Sequence, residues 1–162
     1  GGNARASRRL PVDDAHAVGR ASPGTFAVGL MPAMLSIAAA WAFTLRARRI
    51  LIGISENHAT ADTPISKLYP DYRRSFVQAF NLMLQYARPQ NHELLVEAPL
   101  IDLSRAEVVK LGQRLRVPFD RTWSCYARND TPCHRCLGCV NREAGFLQAD
   151  AADPLVLEPV RS

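Results

Sequence analysis

The sequence predicts an α/β protein in which helices flank a parallel sheet, with a four-cysteine metal-binding segment near its end. Three observations predict this class: a helical pattern leads into a short apolar run, the same order recurs further along the chain, and all four cysteines lie close together. Helices that alternate with buried strands are typical of parallel sheets. The chain has 162 residues, which suffice for one domain with its own core.

Composition and motifs divide the chain into four segments. Residues 1–24 are polar and are predicted to be flexible, residues 25–122 form the α/β domain, residues 123–149 the zinc-binding segment and residues 150–162 a tail. The formal charge of +5 permits contact with anions but does not demonstrate it. The uncharged stretch 26–45 contains Pro32, which argues against a membrane-spanning helix, and no export signal is apparent. We therefore expect a cytoplasmic protein with reduced thiols.

The first helix and strand follow from the spacing of apolar residues. Pro32 suits the first turn of a helix that has little polar surface, so this helix is predicted to be buried. The run 49–54 is β-branched and apolar on both faces, which indicates a buried parallel strand. Ser55 and Asn57 follow this strand, and ligands of open parallel sheets bind beyond the carboxyl ends of strands. An ordinary strand-to-helix turn is the alternative for this loop.

The second half of the α/β domain repeats the order of helix and strand. Residues 71–87 are predicted to be a helix with Asp71 as its cap or first-turn anion, and residues 94–98 a second strand. Ser104 and Glu107 form a capping-box pattern before a helix that is expected to end near Gly112. Residues 140–149 are predicted to be a short helix.

The four cysteines have the spacing C-x7-C-x2-C-x2-C and predict a structural zinc site. They are Cys125, Cys133, Cys136 and Cys139. Thiolates are preferred zinc ligands, and a shell of four sulfurs leaves no open position for a substrate water. An iron–sulfur cluster is the first alternative, since C-x2-C-x2-C also occurs in ferredoxins, and disulfides rank below it because bridges at such short spacings would be strained. His134 lies within the motif and is expected to be a surface residue.

A resemblance to a known family rests on three motifs that occur in order. The first is W-S-C-Y followed by P-C-x-x-C-x-x-C-x-x-R-x-x-x-F, at residues 123–126 and 132–146. The second is APLIDLSRAEVVKLG at residues 98–112, and the third is Tyr69-Pro70-Asp71 with Arg73. Together these motifs resemble the second half of the 7-cyano-7-deazaguanine synthase (QueC) family, over roughly residues 29–146.

The resemblance implies a P-P-loop ATPase fold, similar to a Rossmann fold and incomplete in this chain. It also implies an ATP-dependent ligase that adenylates the carboxylate of 7-carboxy-7-deazaguanine and converts it through an amide to a nitrile. Substrate binding is expected at Tyr69, Asp71, Arg73, Trp123 and Ser124, and cofactor binding at Gly29, Ser55 and Asn57. No catalytic residue is assigned. Some proteins that resemble this family occur in antiviral operons, so a role in antiviral defence is a further expectation.

Two departures from the family pattern affect the expected nucleotide site. The family's P-P loop, S-G-G-x-D-S after the first strand, does not occur in this sequence. Where the family has P-G-R-N, this chain has Val28-Gly29-Leu30-Met31. ATP and Mg²⁺ are therefore expected only if a P-P loop is supplied elsewhere, by a separate chain or by a homodimer.

Three functions remain in competition. The first is a part or subunit of the ligase, and the second is a non-catalytic binding or scaffold module stabilised by zinc. The third, a zinc-ribbon protein that binds nucleic acid, fits the charge but not the pattern, because basic residues do not alternate with aromatic residues along one face. We expect a small deazapurine as the ligand, and neither a membrane nor a nucleic acid as a partner.

Overall fold

Helices pack against a small parallel sheet, as the α/β prediction requires. The computed structural model describes residues 26–56, 59–60, 63–89 and 91–156. The predicted flexible segment 1–24 and Asn57 lie outside these residues. Within them the helices are α1 (Leu30–Thr44), α2 (Ile65–Leu68), α3 (Arg74–Ala87), α4 (Arg105–Arg114) and α5 (Leu137–Gln148). The strands are β1 (Arg49–Leu51), β2 (Ala59–Thr60), β3 (Thr63–Pro64) and β4 (Leu95–Glu97).

The parallel sheet consists of β1 and β4, with Ile50 opposite Val96. These two residues face one core, to which both α1 and α3 contribute. The buried members of this core from the helices are Leu35, Ala39, Ala42, Val77, Phe80 and Leu84. Two parallel strands that are connected through a helix are the arrangement that the order helix, strand, helix, strand predicted. The strands β2 and β3 form a separate antiparallel pair.

The two edges of the parallel sheet differ. On the outer edge of β4, the side chain of Asn81 in α3 accepts a hydrogen bond from the Val96 N–H at 2.7 Å and donates one to the Val96 carbonyl at 2.8 Å. This side chain therefore occupies the edge where another strand would pair. On the other edge, β1 has no second strand neighbour in the described part of the chain.

The prediction that the strand after α1 is buried on both faces was wrong. The strand ends at Leu51 instead of residue 54, and the side chain of Leu51 is 66% exposed. Leu95 on the same face is also exposed. The strand sequence places apolar residues on both faces of the sheet. Both long helices, however, cover the same face, which contains Ile50 and Val96. No described element covers the opposite face.

The prediction that α1 is buried was also only half correct. Leu35, Ala39 and Ala42 pack into the core, whereas Met34, Ile37 and Trp41 are exposed on another face of the helix. Spacings of three and four residues place these exposed side chains in one stripe. No helix in the described residues is both long and apolar enough to cross a membrane.

The predicted helix 71–87 begins three residues later than expected. Pro70–Tyr72 forms a 3-10 turn, and α3 starts at Arg74. Asp71 is therefore not the cap of this helix. Glu56, from the loop after β1, accepts a hydrogen bond from the Arg74 N–H at 2.8 Å and so places a negative charge at the start of α3.

The capping box at the start of α4 is confirmed. The Ser104 hydroxyl accepts a hydrogen bond from the Glu107 N–H at 3.3 Å, and the Glu107 carboxylate accepts one from the Ser104 N–H at 2.8 Å. The predicted end at Gly112 or a little later agrees with the structure, in which the helix continues to Arg114. A Cβ atom at Gly112 would lie 2.4 Å from the ring of Phe119, so this glycine is required for close packing.

Candidate metal centre and adjoining cavity

The four cysteines meet where a loop approaches the start of α5. Cys136 is the N-cap of this helix and Cys139 lies in its first turn, so the helix starts earlier than the predicted residue 140. Cys125 and Cys133 come from the preceding loop. All four sulfur atoms lie within 4.8 Å of one another, and those of Cys133 and Cys139 are 3.9 Å apart. Four sulfurs that bind one zinc ion tetrahedrally at about 2.3 Å are about 3.8 Å apart.

Backbone N–H groups surround the sulfur atoms. Tyr126 donates to the sulfur of Cys136 at 3.4 Å, Arg128 to that of Cys125 at 3.3 Å, and Cys136 to that of Cys133 at 3.3 Å. Such donors, together with the N-terminus of a helix, favour the thiolate form that binds metals. The sequence motif thus places both the ligands and the groups that stabilise their charge.

The thiol pKa values reflect a balance between burial and these hydrogen bonds. Burial raises the pKa of Cys133, but the N–H groups of Arg135 and Cys136 outweigh it and lower the pKa to about 6. Burial raises the pKa of both Cys136 and Cys139. Neighbouring thiolates repel one another, which opposes ionisation of all four thiols. A bound cation removes this repulsion.

The donor set fits a metal ion held by sulfur alone. Three of the four cysteines are buried, and none forms a disulfide. His134 is half-exposed, and its Nδ1 hydrogen-bonds the carboxylate of Glu143 at 2.5 Å. It does not belong to the group of potential metal ligands. This position agrees with the expectation that His134 is a surface residue.

The loop before the metal cluster is held tightly against α5. The Trp123 indole N–H donates to the carbonyls of Cys125 at 3.1 Å and Arg128 at 3.0 Å, which closes the loop on itself. A Cβ atom at Gly138 would lie 1.9 Å from the Ser124 carbonyl oxygen. Only glycine permits this approach between loop and helix.

A buried ion pair joins α5 to the residues that follow it. The Arg142 guanidinium donates to both carboxylate oxygens of Asp153, at 2.5 and 2.7 Å, and to the carbonyls of Thr122 and Phe119. The two charged side chains are only 9% and 6% exposed. The predicted tail 150–162 is thus anchored to the metal-binding segment at Asp153.

A cavity of about 360 Å³ lies between α4, α5 and the loop before the cysteines. This volume falls within the range of small-molecule sites. Aromatic, apolar and polar side chains line it, among them Arg105, Phe119, Trp123, Ser124, Tyr126 and Asn141. The structure therefore brings two of the predicted substrate-binding residues, Trp123 and Ser124, to one cavity.

The other three predicted substrate-binding residues do not line this cavity. Tyr69 is buried, stacks on Tyr72 with ring centroids 5.1 Å apart, and packs against Leu137 at the start of α5. Asp71 lies in the adjacent 3-10 turn and is partly buried. Arg73 is exposed immediately before α3.

Two of the predicted cofactor-binding residues, Gly29 and Ser55, belong to the described part of the chain. Gly29 precedes α1 with a φ angle of 82°, a conformation that glycine adopts far more readily than other residues. Ser55 is buried beyond β1, and its hydroxyl donates to the carbonyl of Leu103 at 2.5 Å. Asn57, the third predicted residue, lies outside the described part of the chain.

Sequence reasoning did not select Arg105 and Asn141, which line the cavity. A signal for Arg105 was present. It occupies the first position of α4, where the helix dipole disfavours a positive charge. A basic residue at this position gains nothing from the helix dipole, and this was the one signal that the sequence offered. Asn141 lies in the middle of a helical pattern and offered no such signal.

Comparison with known proteins assigns the family. The sequence model of "Queuosine biosynthesis protein QueC" matches residues 1–150, and so extends further towards residue 1 than the resemblance found from motifs. The chain is 35% identical to the 7-cyano-7-deazaguanine synthase of Oceanobacillus iheyensis, over 96% of this chain and 66% of that protein. It is 39% identical to the synthase of Azoarcus sp. strain BH72, over 83% of this chain and 60% of that protein.

These relatives are longer than the matched region, since the chain spans less than two thirds of the length of each. A third relative with the same name, from Koribacter versatilis, is 36% identical over 98% of this chain and 64% of its own length. The match includes the four-cysteine segment and both long helices. The chain belongs to the QueC family.

Proposed function

We propose that this chain provides the deazapurine-binding and zinc-binding part of a 7-cyano-7-deazaguanine synthase. The observation that carries the proposal is the match to named synthases along nearly the whole chain, through the clustered cysteines. The reaction would activate the carboxylate of 7-carboxy-7-deazaguanine with ATP to form an acyl adenylate and release pyrophosphate. Ammonia would then displace AMP to give the amide. A second ATP would adenylate the amide oxygen and release pyrophosphate, and this oxygen would then leave as part of AMP to give the nitrile.

The four cysteines would hold a structural zinc ion. A complete sulfur shell leaves no position for a substrate, so the ion would supply folding energy and no chemistry at the carboxylate. It would fix the loop that contains Trp123 and Ser124 against α5. Both residues line the cavity, and thus the metal would shape the cavity without entering it.

Nucleotide binding would require a P-P loop in addition to Gly29, Ser55 and Asn57. The proposed source is a separate chain with this loop or a second copy of the protein. Three features of the structure support an additional partner beside β1. These are the absence of a second strand next to β1 in the described residues, the exposed side chain of Leu51, and the exposed apolar stripe of α1.

The proposed activity can be tested with a chimera. The P-P-loop portion of the Oceanobacillus iheyensis relative is fused ahead of residue 1 of this chain, and product is measured by mass spectrometry. We expect 7-cyano-7-deazaguanine to form only with ATP and ammonia present. A folded, zinc-loaded chimera that binds the deazapurine without converting it would instead support the non-catalytic module. That second candidate is favoured by Leu30 and Met31, which replace the Arg and Asn of the family pattern.

The chain without the fused portion is expected not to bind ATP. A pyrophosphate cradle requires consecutive backbone N–H groups, usually supplied by a glycine-rich loop, and the S-G-G-x-D-S motif does not occur in this sequence. Calorimetry with ATP and Mg²⁺ on this chain should show no binding in the micromolar range, whereas the chimera should bind. Micromolar binding to this chain alone would reveal a phosphate site of another kind.

Asp71 and Arg73 do not line the cavity that contains Trp123 and Ser124. We propose a separate site for them, an alternative to that cavity, where Asp71 would accept hydrogen bonds from the amidine edge of the deazapurine and Arg73 would pair with its carboxylate. Substitution Asp71→Asn should weaken binding about 10-fold or more, because a charged acceptor is lost, with little change in the free energy of unfolding. Asp150→Asn is the matched control, since Asp150 is exposed in a left-handed conformation that Asn also adopts. Loss of stability with unchanged binding would make Asp71 a structural residue.

A further inference from the structure

One cation in the cavity between α4 and α5 has no anionic partner among the residues that the structure describes. The Nε atom of Arg105 is buried and donates no hydrogen bond to any residue that the structure describes. Arg105 also forms no ion pair with any described residue, and none of the described residues that line the cavity has a carboxylate side chain. A buried donor without an acceptor is costly, and more so when the group is charged.

The second arginine in the cavity wall has the opposite environment. Arg142 is fully engaged by Asp153, Thr122 and Phe119, as described above. Its charge is compensated within the protein, and its side chain lies against the ring of Phe146 with 5.1 Å between guanidinium carbon and ring centroid. Of the two cations that line the cavity, Arg105 is therefore the one available to a ligand.

The protein holds Arg105 in place instead of leaving it free to reach solvent. Gly145 of α5 lies against its stem, since a Cβ atom there would be 3.2 Å from the Cβ of Arg105. Burial lowers the pKa of the guanidinium, and the phenol groups of Tyr126 and Tyr72 act in the opposite direction. A bound anion would offset the cost of this burial.

The remaining walls indicate the chemical class of that anion. Aromatic rings of Phe119, Trp123 and Tyr126 line the cavity, and the Ser124 and Asn141 side chains add hydrogen-bonding groups. Aromatic walls suit a flat ring, whereas a guanidinium matches the two oxygens of a carboxylate with two parallel hydrogen bonds. A cavity of about 360 Å³ can contain a small bicyclic ring with one such substituent.

We propose that Arg105 binds the carboxylate of a heteroaromatic acid whose ring occupies the cavity between α4 and α5. The identification of this acid as 7-carboxy-7-deazaguanine rests on the proposed function, while the assignment of Arg105 rests on the geometry of the cavity. The site selects for the acid over the nitrile, because only the acid carries a carboxylate that can pair with the Arg105 guanidinium. Arg105 is thus a substrate-binding residue that distinguishes substrate from product.

The test is calorimetry on the zinc-loaded chain with four probes: 7-carboxy-7-deazaguanine, 7-cyano-7-deazaguanine, indole-3-carboxylate and inorganic phosphate. The variants are Arg105→Gln and, as a matched control, Arg114→Gln, which removes an exposed arginine from the last turn of the same helix. We expect wild type to bind the acid at least about 10-fold more tightly than the nitrile. The substitution Arg105→Gln should weaken binding of the acid about 10- to 100-fold. Arg105→Gln should bind the nitrile as tightly as wild type does, and the control variant Arg114→Gln should bind the acid as tightly as wild type does.

The possible outcomes separate this inference from the proposed function. Equal binding of the acid by wild type and Arg105→Gln overturns the inference and leaves the proposed function standing. Binding of indole-3-carboxylate that depends on Arg105, without binding of the deazapurine acid, supports the site and overturns the proposed substrate. Phosphate binding as tight as that of the acid, or binding of no probe at all, overturns the inference. The comparison of acid with nitrile on wild type remains decisive if Arg105→Gln does not fold.

Discussion

Substitution Cys136→Ser is expected to abolish metal binding and unfold at least the carboxyl-terminal third of the chain. Cys136 is both a ligand and the N-cap of α5, so its loss removes the ion and frees the start of the helix. Metal–thiolate binding contributes on the order of 10 kcal/mol to folding in comparable zinc sites. We expect one zinc per chain in wild type by metal analysis and none in the variant, with a loss of helical circular dichroism.

His134→Ala is the matched control for this experiment. His134 lies between two of the cysteines in sequence, but its half-exposed ring forms a hydrogen bond with the Glu143 carboxylate. The variant should retain its zinc and nearly all of its stability. Iron with a visible charge-transfer band, or a folded wild-type sample without any metal, would contradict the zinc assignment.

Substitution Asp153→Ala should destabilise the protein by about 3–5 kcal/mol, because it leaves a buried guanidinium without its counter-ion. Arg142 contacts Asp153 through two hydrogen bonds, and both side chains are almost completely buried. The pair also ties α5 to the residues beyond it. The measurement is urea unfolding of the zinc-loaded protein followed by circular dichroism.

The control for this prediction is the exposed ion pair between Arg49 and Glu97. Its charged atoms are 3.8 Å apart and its side chains are 69% and 40% exposed. Glu97→Ala should change the free energy of unfolding by about 1 kcal/mol or less, since solvent screens such pairs. If both substitutions have the same small effect, the Arg142–Asp153 pair does not anchor the end of the chain.

Local patterns in the sequence determined several elements directly. The capping box at Ser104 and Glu107 predicted the start of α4, because both hydrogen bonds form within four residues. The cysteine spacing predicted the metal cluster, because the short steps between Cys133, Cys136 and Cys139 bring their sulfurs together wherever the segment is placed. The order of helices and strands predicted the α/β class, because parallel strands are connected through helices. Each of these features was visible as a pattern along the sequence.

Only the tertiary structure decided which apolar faces are covered and which charged groups are compensated. The pattern of α1 is apolar on all sides, and contact with the sheet buries Leu35 while Trp41 remains exposed. Gly112 was interpreted only as a signal for the end of α4, whereas in the structure the ring of Phe119, seven residues away, occupies the space of its missing Cβ. Arg105 and Arg142 are both arginines in helices, and they differ because Asp153 reaches only one of them. Burial and pairing arise from contacts between distant segments, and local patterns in a sequence do not reveal those contacts.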